Sequence, residues 1–306
     1  MSAARPMDNP YYGWSPLSNR PALRWPGSAR VAFSLVLILE KPGWYPAPGS
    51  IVPSQLRQSR AYPAQPDIHH TSPYDYGNRV GVFRVLNVLA RHGIRPMVAM
   101  DADLAACTPY LVQRLVDAGA EFLGHGRSAE QLINESMTEQ EEAALIDGTL
   151  DDLTAAVGRR PTGWLGSEYG ESSRTVALLA ARGVDHVLDW PTDEQPHPMA
   201  VPTGRMTNLP AMVELDDALT LAGRGLSVAR FSRMIVEQFD RLYEDGRQSG
   251  RLFILPVRPW IMGQPFRIKY LDAALAHITA REDVWSTTGR AIVDWYAEVT
   301  AVHSPA

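Results

Sequence analysis

The stretch Arg30-Val-Ala-Phe-Ser-Leu-Val-Leu-Ile-Leu-Glu40 is almost continuously apolar and rich in β-branched residues. A strand with one face in water alternates apolar and polar side chains. A run without that alternation must be covered on both faces, as in a parallel sheet or barrel flanked by helices. It is far too short to span a bilayer. With 306 residues, 45% of them hydrophobic, the chain can bury the core such a strand demands. The run ends in a carboxylate, Glu40.

The rest of the chain repeats that theme. Residues 1–29 read as an irregular arm anchored by Tyr11, Tyr12, Trp14 and Trp25. Lys41–Tyr76 is dense in proline without a visible period and reads as a long covering loop. Gly77–Gly93 carries Val82, Val85, Leu86 and Leu89 on one helical face. Regular alternation follows. Strands are expected at Pro96–Met100, Glu121–Gly124, Pro161–Leu165, Asp185–Leu188, Met206–Leu215, Leu252–Val257 and Val284–Ser286. Helices are expected at Pro109–Ala118, from Thr138 (a capping box with Glu141) to about Val157, and at Ser173–Arg182, Val228–Glu244, Gln264–Ala280 and Gly289–Val299. A second proline-rich loop spans Pro191–Pro202.

No composition break divides the chain, so residues 1–306 read as one α/β domain. The expected fold is a distorted (β/α) barrel of about seven parallel strands. In such folds chemistry is done at the C-terminal ends of the strands. Glu40, Asp101, His125, Glu168, Asp189, Asp216 and Arg258 all stand there and would converge on one face. Polar residues at strand ends are common, because strands end where water begins. A ring of carboxylates with one histidine and one arginine is nevertheless what a hydrolytic pocket needs.

Composition excludes several alternatives. A net charge of −5 argues against nucleic acid or an anionic membrane as the main partner, and says nothing sharper. A single cysteine, Cys107, allows no internal disulfide. The polar N-terminus has no secretory pattern, so a cytoplasmic protein is expected.

Several segments in order also resemble a known family: Arg30–Gly43, Tyr62-Pro-Ala64, Tyr74-Asp-Tyr-Gly-Asn-Arg-Val-Gly-Val-Phe-Arg84, Gly124-His-Gly126, Arg160-Pro-Thr-Gly-Trp164 and Arg258-Pro-Trp-Ile-Met-Gly-Gln-Pro265. Together they are similar to the polysaccharide deacetylase (NodB homology) superfamily, in the branch of metal-independent allantoinases, cyclic-imide hydrolases and related deacetylases. The resemblance runs from about residue 10 to 299. It implies a NodB-like barrel of β/α units, hydrolysis of a C–N bond in an amide or cyclic ureide, and dimers or tetramers.

The departures from the family pattern bear on mechanism. Where metal-dependent members carry an Asp pair, this chain has Ile38-Leu39-Glu40. His125 is kept, but the second histidine position holds Ala129. The last motif reads Leu255-Pro-Val-Arg258, with arginine in the histidine's place. His125 and Glu40 give two metal donors where zinc needs three, and His69-His70 on an extended segment would point apart. No metal or other cofactor is therefore expected.

A metal-free amide hydrolase needs a base, an oxyanion stabiliser and an acid for the leaving nitrogen. Glu40 is the expected base, with burial raising its pKa toward neutrality. His125 is the expected proton carrier, and Arg258 the clamp for an oxyanion, ureide or carboxylate. Glu168 and Asp189 are the expected substrate contacts, with Trp164, Trp190 and Trp260 as pocket walls. The alternative is a catalytically altered relative that binds a small polar ligand in the same pocket.

Overall fold

The computed structural model describes residues 9–45, 66 and 68–303, without the side chains of His70 and of residues 301–303. Val31–Leu39 forms β1, and all nine of its residues are buried. The other strands are β2 (Met97–Met100), β3 (Glu121–Gly124), β4 (Gly163–Trp164), β5 (His186–Val187), β6 (His197–Pro198), β7 (Thr207–Asn208), β8 (Arg251–Val257) and β9 (Val284–Ser286). They make one sheet in the order β6-β7-β5-β4-β3-β2-β1-β8. Every pairing is parallel except β6 with β7. β1 is the central strand. It pairs with β8 along Val31–Leu37 on one edge; on the other, β9 takes Val31–Phe33 and β2 takes Val36–Leu39.

The sheet curls until its ends meet. Ala211, just past β7, makes a parallel bridge to Ile254 of β8, and the Met212 amide donates to the Ile254 carbonyl at 3.0 Å. Seven parallel strands (β1–β5, β7 and β8) thus form the wall of a distorted, incompletely closed barrel, as the sequence predicts.

The two apolar faces of β1 have different destinations. Val31, Phe33, Leu35, Leu37 and Leu39 join the larger cluster, beneath the helices Val82–Arg91, Pro109–Asp117, Val228–Asp245 and Ile268–Thr279. Ala32, Val36 and Ile38 instead meet Met97, Ala99, Leu123, Leu165, Leu188, Leu209, Leu252 and Ile254 in the barrel interior. Both faces being dry is why the strand shows no alternation.

Several expected elements differ. The strand expected at Met206–Leu215 is cut to β7, the Ala211 bridge and a 3₁₀ turn at Val213–Leu215. Pro210 has no N–H for the ladder and ends it. The strands at 161–165 and 185–188 keep two ladder residues each. Within the expected loop 41–76, residues 46–65 and 67 lie outside the described residues, but Ile68–Tyr76 is a helix despite Pro73. His69 and His70 are therefore helical rather than extended. A short helix, Ala102–Cys107, fills what the sequence leaves as a connection. Of the arm's aromatics, Trp25 is buried against Trp285 and Trp295, and Tyr11 and Tyr12 pack on Trp190. Trp14, expected as an anchor, is 48% exposed. No helix of the described residues is long and apolar enough to cross a membrane.

Candidate active site

Strand alternation delivers the site. The inward row Val36 and Ile38 of β1 continues to Glu40; Met97 and Ala99 continue to Asp101; Leu123 continues to His125; Leu252 and Ile254 continue to Arg258. Four polar side chains thus cap one apolar barrel interior at its C-terminal mouth. All four are almost fully buried.

Arg258 is the hub. Its Nη1 lies 2.8 and 2.7 Å from the two carboxylate oxygens of Asp216, and its Nε 3.4 Å from Glu40 Oε2. Its Nη2 is 3.9 Å from Glu168 Oε1. The Arg258 main-chain N–H donates to Asp217 Oδ2 at 2.8 Å. His125 Nε2 stands 3.4 Å from Glu40 Oε1, and its Nδ1 contacts the Leu165 carbonyl oxygen. Asn78 Nδ2 donates to the Glu40 main-chain oxygen at 2.9 Å.

These contacts decide the ionisation states. Burial pushes the Glu40 carboxyl up, but Arg258 and then His125 outweigh it and leave its pKa below the ordinary value. This overturns the expectation that burial would bring Glu40 toward neutrality. Burial likewise lowers His125, yet the hydrogen bond and charge of Glu40 outweigh it, and the imidazole pKa is raised. Both shifts favour the carboxylate–imidazolium form of the pair. Burial pushes Asp101 well above the usual carboxylate range, and its Oδ2 accepts from the Lys41 amide at 2.7 Å. Burial also pushes Asp217 up to about 8, although Arg258 opposes the shift.

The turn after β4 brings the next layer. Glu168 and Tyr169 both have left-handed backbone, at φ 53° and 58°. Two consecutive non-glycine residues there cost about 1–3 kcal/mol each, so their surroundings must hold them. Asp189 Oδ1 accepts from the Gly166 amide at 2.7 Å, and the Tyr169 hydroxyl donates to Asp216 Oδ2 at 2.8 Å. Burial raises Asp189 to about 7 and its neighbour Glu171 to about 9, and Trp190 Nε1 donates to Glu171 at 3.0 Å.

Of the expected aromatic walls, Trp260 is half-buried with its ring 5.1 Å from that of Tyr74, and Trp190 is half-buried under Tyr11. Trp164 is fully buried in a third apolar cluster with its ring edge against Gly124, so it backs the site rather than lining it. Sequence reasoning gave no role to Tyr74, Asn78, Tyr169 or Glu171. Tyr74 and Asn78 share a helical spacing of four, which is the one signal that could have paired them.

The donor set does not suit a divalent cation. Both His125 nitrogens face internal acceptors, the Arg258 guanidinium flanks Glu40 where a cation would be repelled, and Ala129 offers no donor. Among the described residues no three His, Cys, Asp or Glu side chains are grouped to hold a metal.

Comparison with known proteins agrees with this architecture. The polysaccharide deacetylase family model matches residues 65–187. A Schizosaccharomyces pombe protein provisionally named a polysaccharide deacetylase is 22% identical over 299 residues, which is 90% of this chain and 92% of that one. A probable polysaccharide deacetylase from Pseudomonas aeruginosa PAO1 superposes with a TM-score of 0.81 at 24% identity, covering 92% of this chain and 95% of that one. The Puue allantoinase structure superposes with a TM-score of 0.81 at 25% identity, covering 96% and 98%. The chain is thus similar in sequence to polysaccharide deacetylases, by family model over residues 65–187, and its fold is close to that of an allantoinase.

Proposed function

We propose that this protein hydrolyses a non-peptide C–N bond in a small amide, cyclic imide or ureide, without a catalytic metal. The observation that carries this reading is the buried Glu40–His125–Arg258 cluster, whose ionisation states are complementary. Ionised Glu40 takes a proton from water as the water oxygen bonds to the substrate carbonyl carbon. The resulting oxyanion is stabilised on the Arg258 side of the cluster. Protonated His125 then gives its proton to the leaving nitrogen as the C–N bond breaks. Glu168 and Asp189 orient the substrate, between Trp190 and Trp260. The likeness to an allantoinase over nearly the whole chain supports the substrate class.

A second reading has one observation in its favour. Arg258 already faces Glu40, Asp216, Asp217 and Glu168, and both His125 nitrogens have internal partners. So matched a network suits a rigid floor that binds a small polar ligand without turning it over.

Turnover assays on allantoin, hydantoin, succinimide and an N-acetylglucosamine oligomer decide between the two. Hydrolysis of a cyclic substrate that falls about 10²–10⁴-fold in both Glu40→Gln and His125→Ala supports the hydrolase. Full activity in His125→Ala sinks the scheme. Thermal stabilisation by a ligand that is never consumed supports the binding protein.

A further inference from the structure

The helix Ile68–Tyr76 runs directly into a π-helical turn, Gly77–Gly81. A π turn inserts one residue and re-aims the side chains around it, and such insertions occur frequently at functional sites. This one is pressed onto the turn that follows Arg258. A Cβ on Gly77 would lie 2.6 Å from Trp260 Cβ, and one on Gly81 would lie 2.3 Å from the Pro259 carbonyl oxygen. The approach is backbone to backbone, so the helix is set rigidly relative to Arg258.

One face of that segment looks at the cluster. Asn78 reaches the Glu40 main-chain oxygen at 2.9 Å. Tyr74, on the last α-helical turn before it, is 4% exposed with its ring centroid 5.1 Å from that of Trp260, two residues beyond Arg258. Its phenol sits within the field of Glu40, Arg258, Glu168 and Asp101, and burial, first among the causes, keeps it protonated. Arg258, by contrast, spends Nη1 on Asp216 and turns Nε toward Glu40. With only Nη2 of Arg258 outside those contacts, an oxyanion formed next to Glu40 gains from a second donor beside the guanidinium, and a neutral one adds no charge to the cluster.

We propose that the Tyr74 hydroxyl donates the hydrogen bond that receives the substrate carbonyl oxygen as it becomes an oxyanion beside Glu40. The inference rests on the reading of this site as a place where an amide, imide or ureide carbonyl binds. The C=O π pair moves onto oxygen as water adds to carbon, the phenol proton stays on Tyr74, and the pair returns when the C–N bond breaks.

The test compares wild type with Tyr74→Phe, which keeps the ring and its packing on Trp260. With allantoin, hydantoin and succinimide as substrates, kcat falls about 10²–10³-fold, KM moves less than about threefold, and the melting temperature stays within a few degrees. Activity within about threefold of wild type overturns the proposal, and so does a loss matched by collapse of the melting temperature. If wild type consumes none of the three, calorimetric binding of succinimide decides. At least about tenfold weaker binding by Tyr74→Phe keeps the donor role while the hydrolase reading fails, whereas equal binding, or none by wild type, overturns both.

Discussion

Replacing Arg258 with methionine tests the electrostatics of the site without reference to any substrate. Arg258 is 3% exposed and stands between Glu40 and Asp216, both buried and both held below the ordinary carboxylate pKa, with Arg258 the main force opposing burial. Deleting the cation leaves two buried carboxylates without their main counter-charge, a change that costs about 3–5 kcal/mol at pH 7.5. The sign of the pH dependence is the sharper test. In wild type both folded pKa values lie below the unfolded ones. Their stabilisation is present above the unfolded carboxylate values and is lost only as pH falls through the folded ones. In Arg258→Met the main opposition to burial is gone, leaving His125 beside Glu40 and the Leu219 amide and Tyr169 hydroxyl beside Asp216, so both folded values rise relative to wild type. The gap between the two proteins then closes on acidification by up to about 1.4 kcal/mol per pH unit for each carboxylate that takes up its proton. Urea denaturation of both proteins at pH 7.5 and pH 5 measures it. A gap that is constant, or wider at pH 5, would falsify the assignment of Arg258 as the charge that keeps Glu40 ionised.

Further consequences concern the rest of the framework. At the opposite end of the barrel His186 is fully buried, with Nδ1 2.9 Å from Asp185 and Nε2 3.2 Å from Glu121, and its pKa is raised by those partners against burial. Its stabilisation is present below about pH 6.5 and lost as pH rises through the higher folded value, so wild type should lose stability above neutrality and His186→Gln should lose that slope. Calorimetric melting between pH 6 and 9 would show whether the slopes differ. Gly124→Ala would set a Cβ 2.3 Å from Trp164 Cε3. It should cost at least about 1–3 kcal/mol in chemical denaturation, and an unchanged midpoint would mean the Trp164 ring can yield. Glu171, raised to about 9 by burial and then by Asp189, destabilises the fold progressively as pH climbs past the unfolded carboxylate value. Glu171→Gln should therefore gain melting temperature at pH 8 relative to pH 5, and a gain independent of pH contradicts the carboxyl pairing.

How much of this was legible in the chain depends on how far apart the deciding atoms are. Burial of β1 on both faces could be read because alternation is a local property. It also carried Glu40 to the right place, since Glu40 simply extends the inward row of Val36 and Ile38. The helix Ile68–Tyr76 could not be read. Pro73 interrupts it, its residues show almost no apolar stripe, and what positions it is contact between Gly77, Gly81 and a turn near residue 260. The charge state of Glu40 was misjudged for the same reason: burial is a property of its own strand, but the opposing cation arrives from Arg258 at the far end of the chain. His125 and His186 show what remains to be decided by topology alone. Each is a buried imidazole beside carboxylates with a raised pKa. His125 follows the C-terminal end of β3, where the loops of an α/β barrel gather and ligands bind. His186 instead lies at the other end, where Glu121 caps the helix Gly289–His303 through the Arg290 amide at 2.8 Å. The same chemistry thus stands at the C-terminal mouth of the barrel in one case and is committed to closing the opposite end in the other.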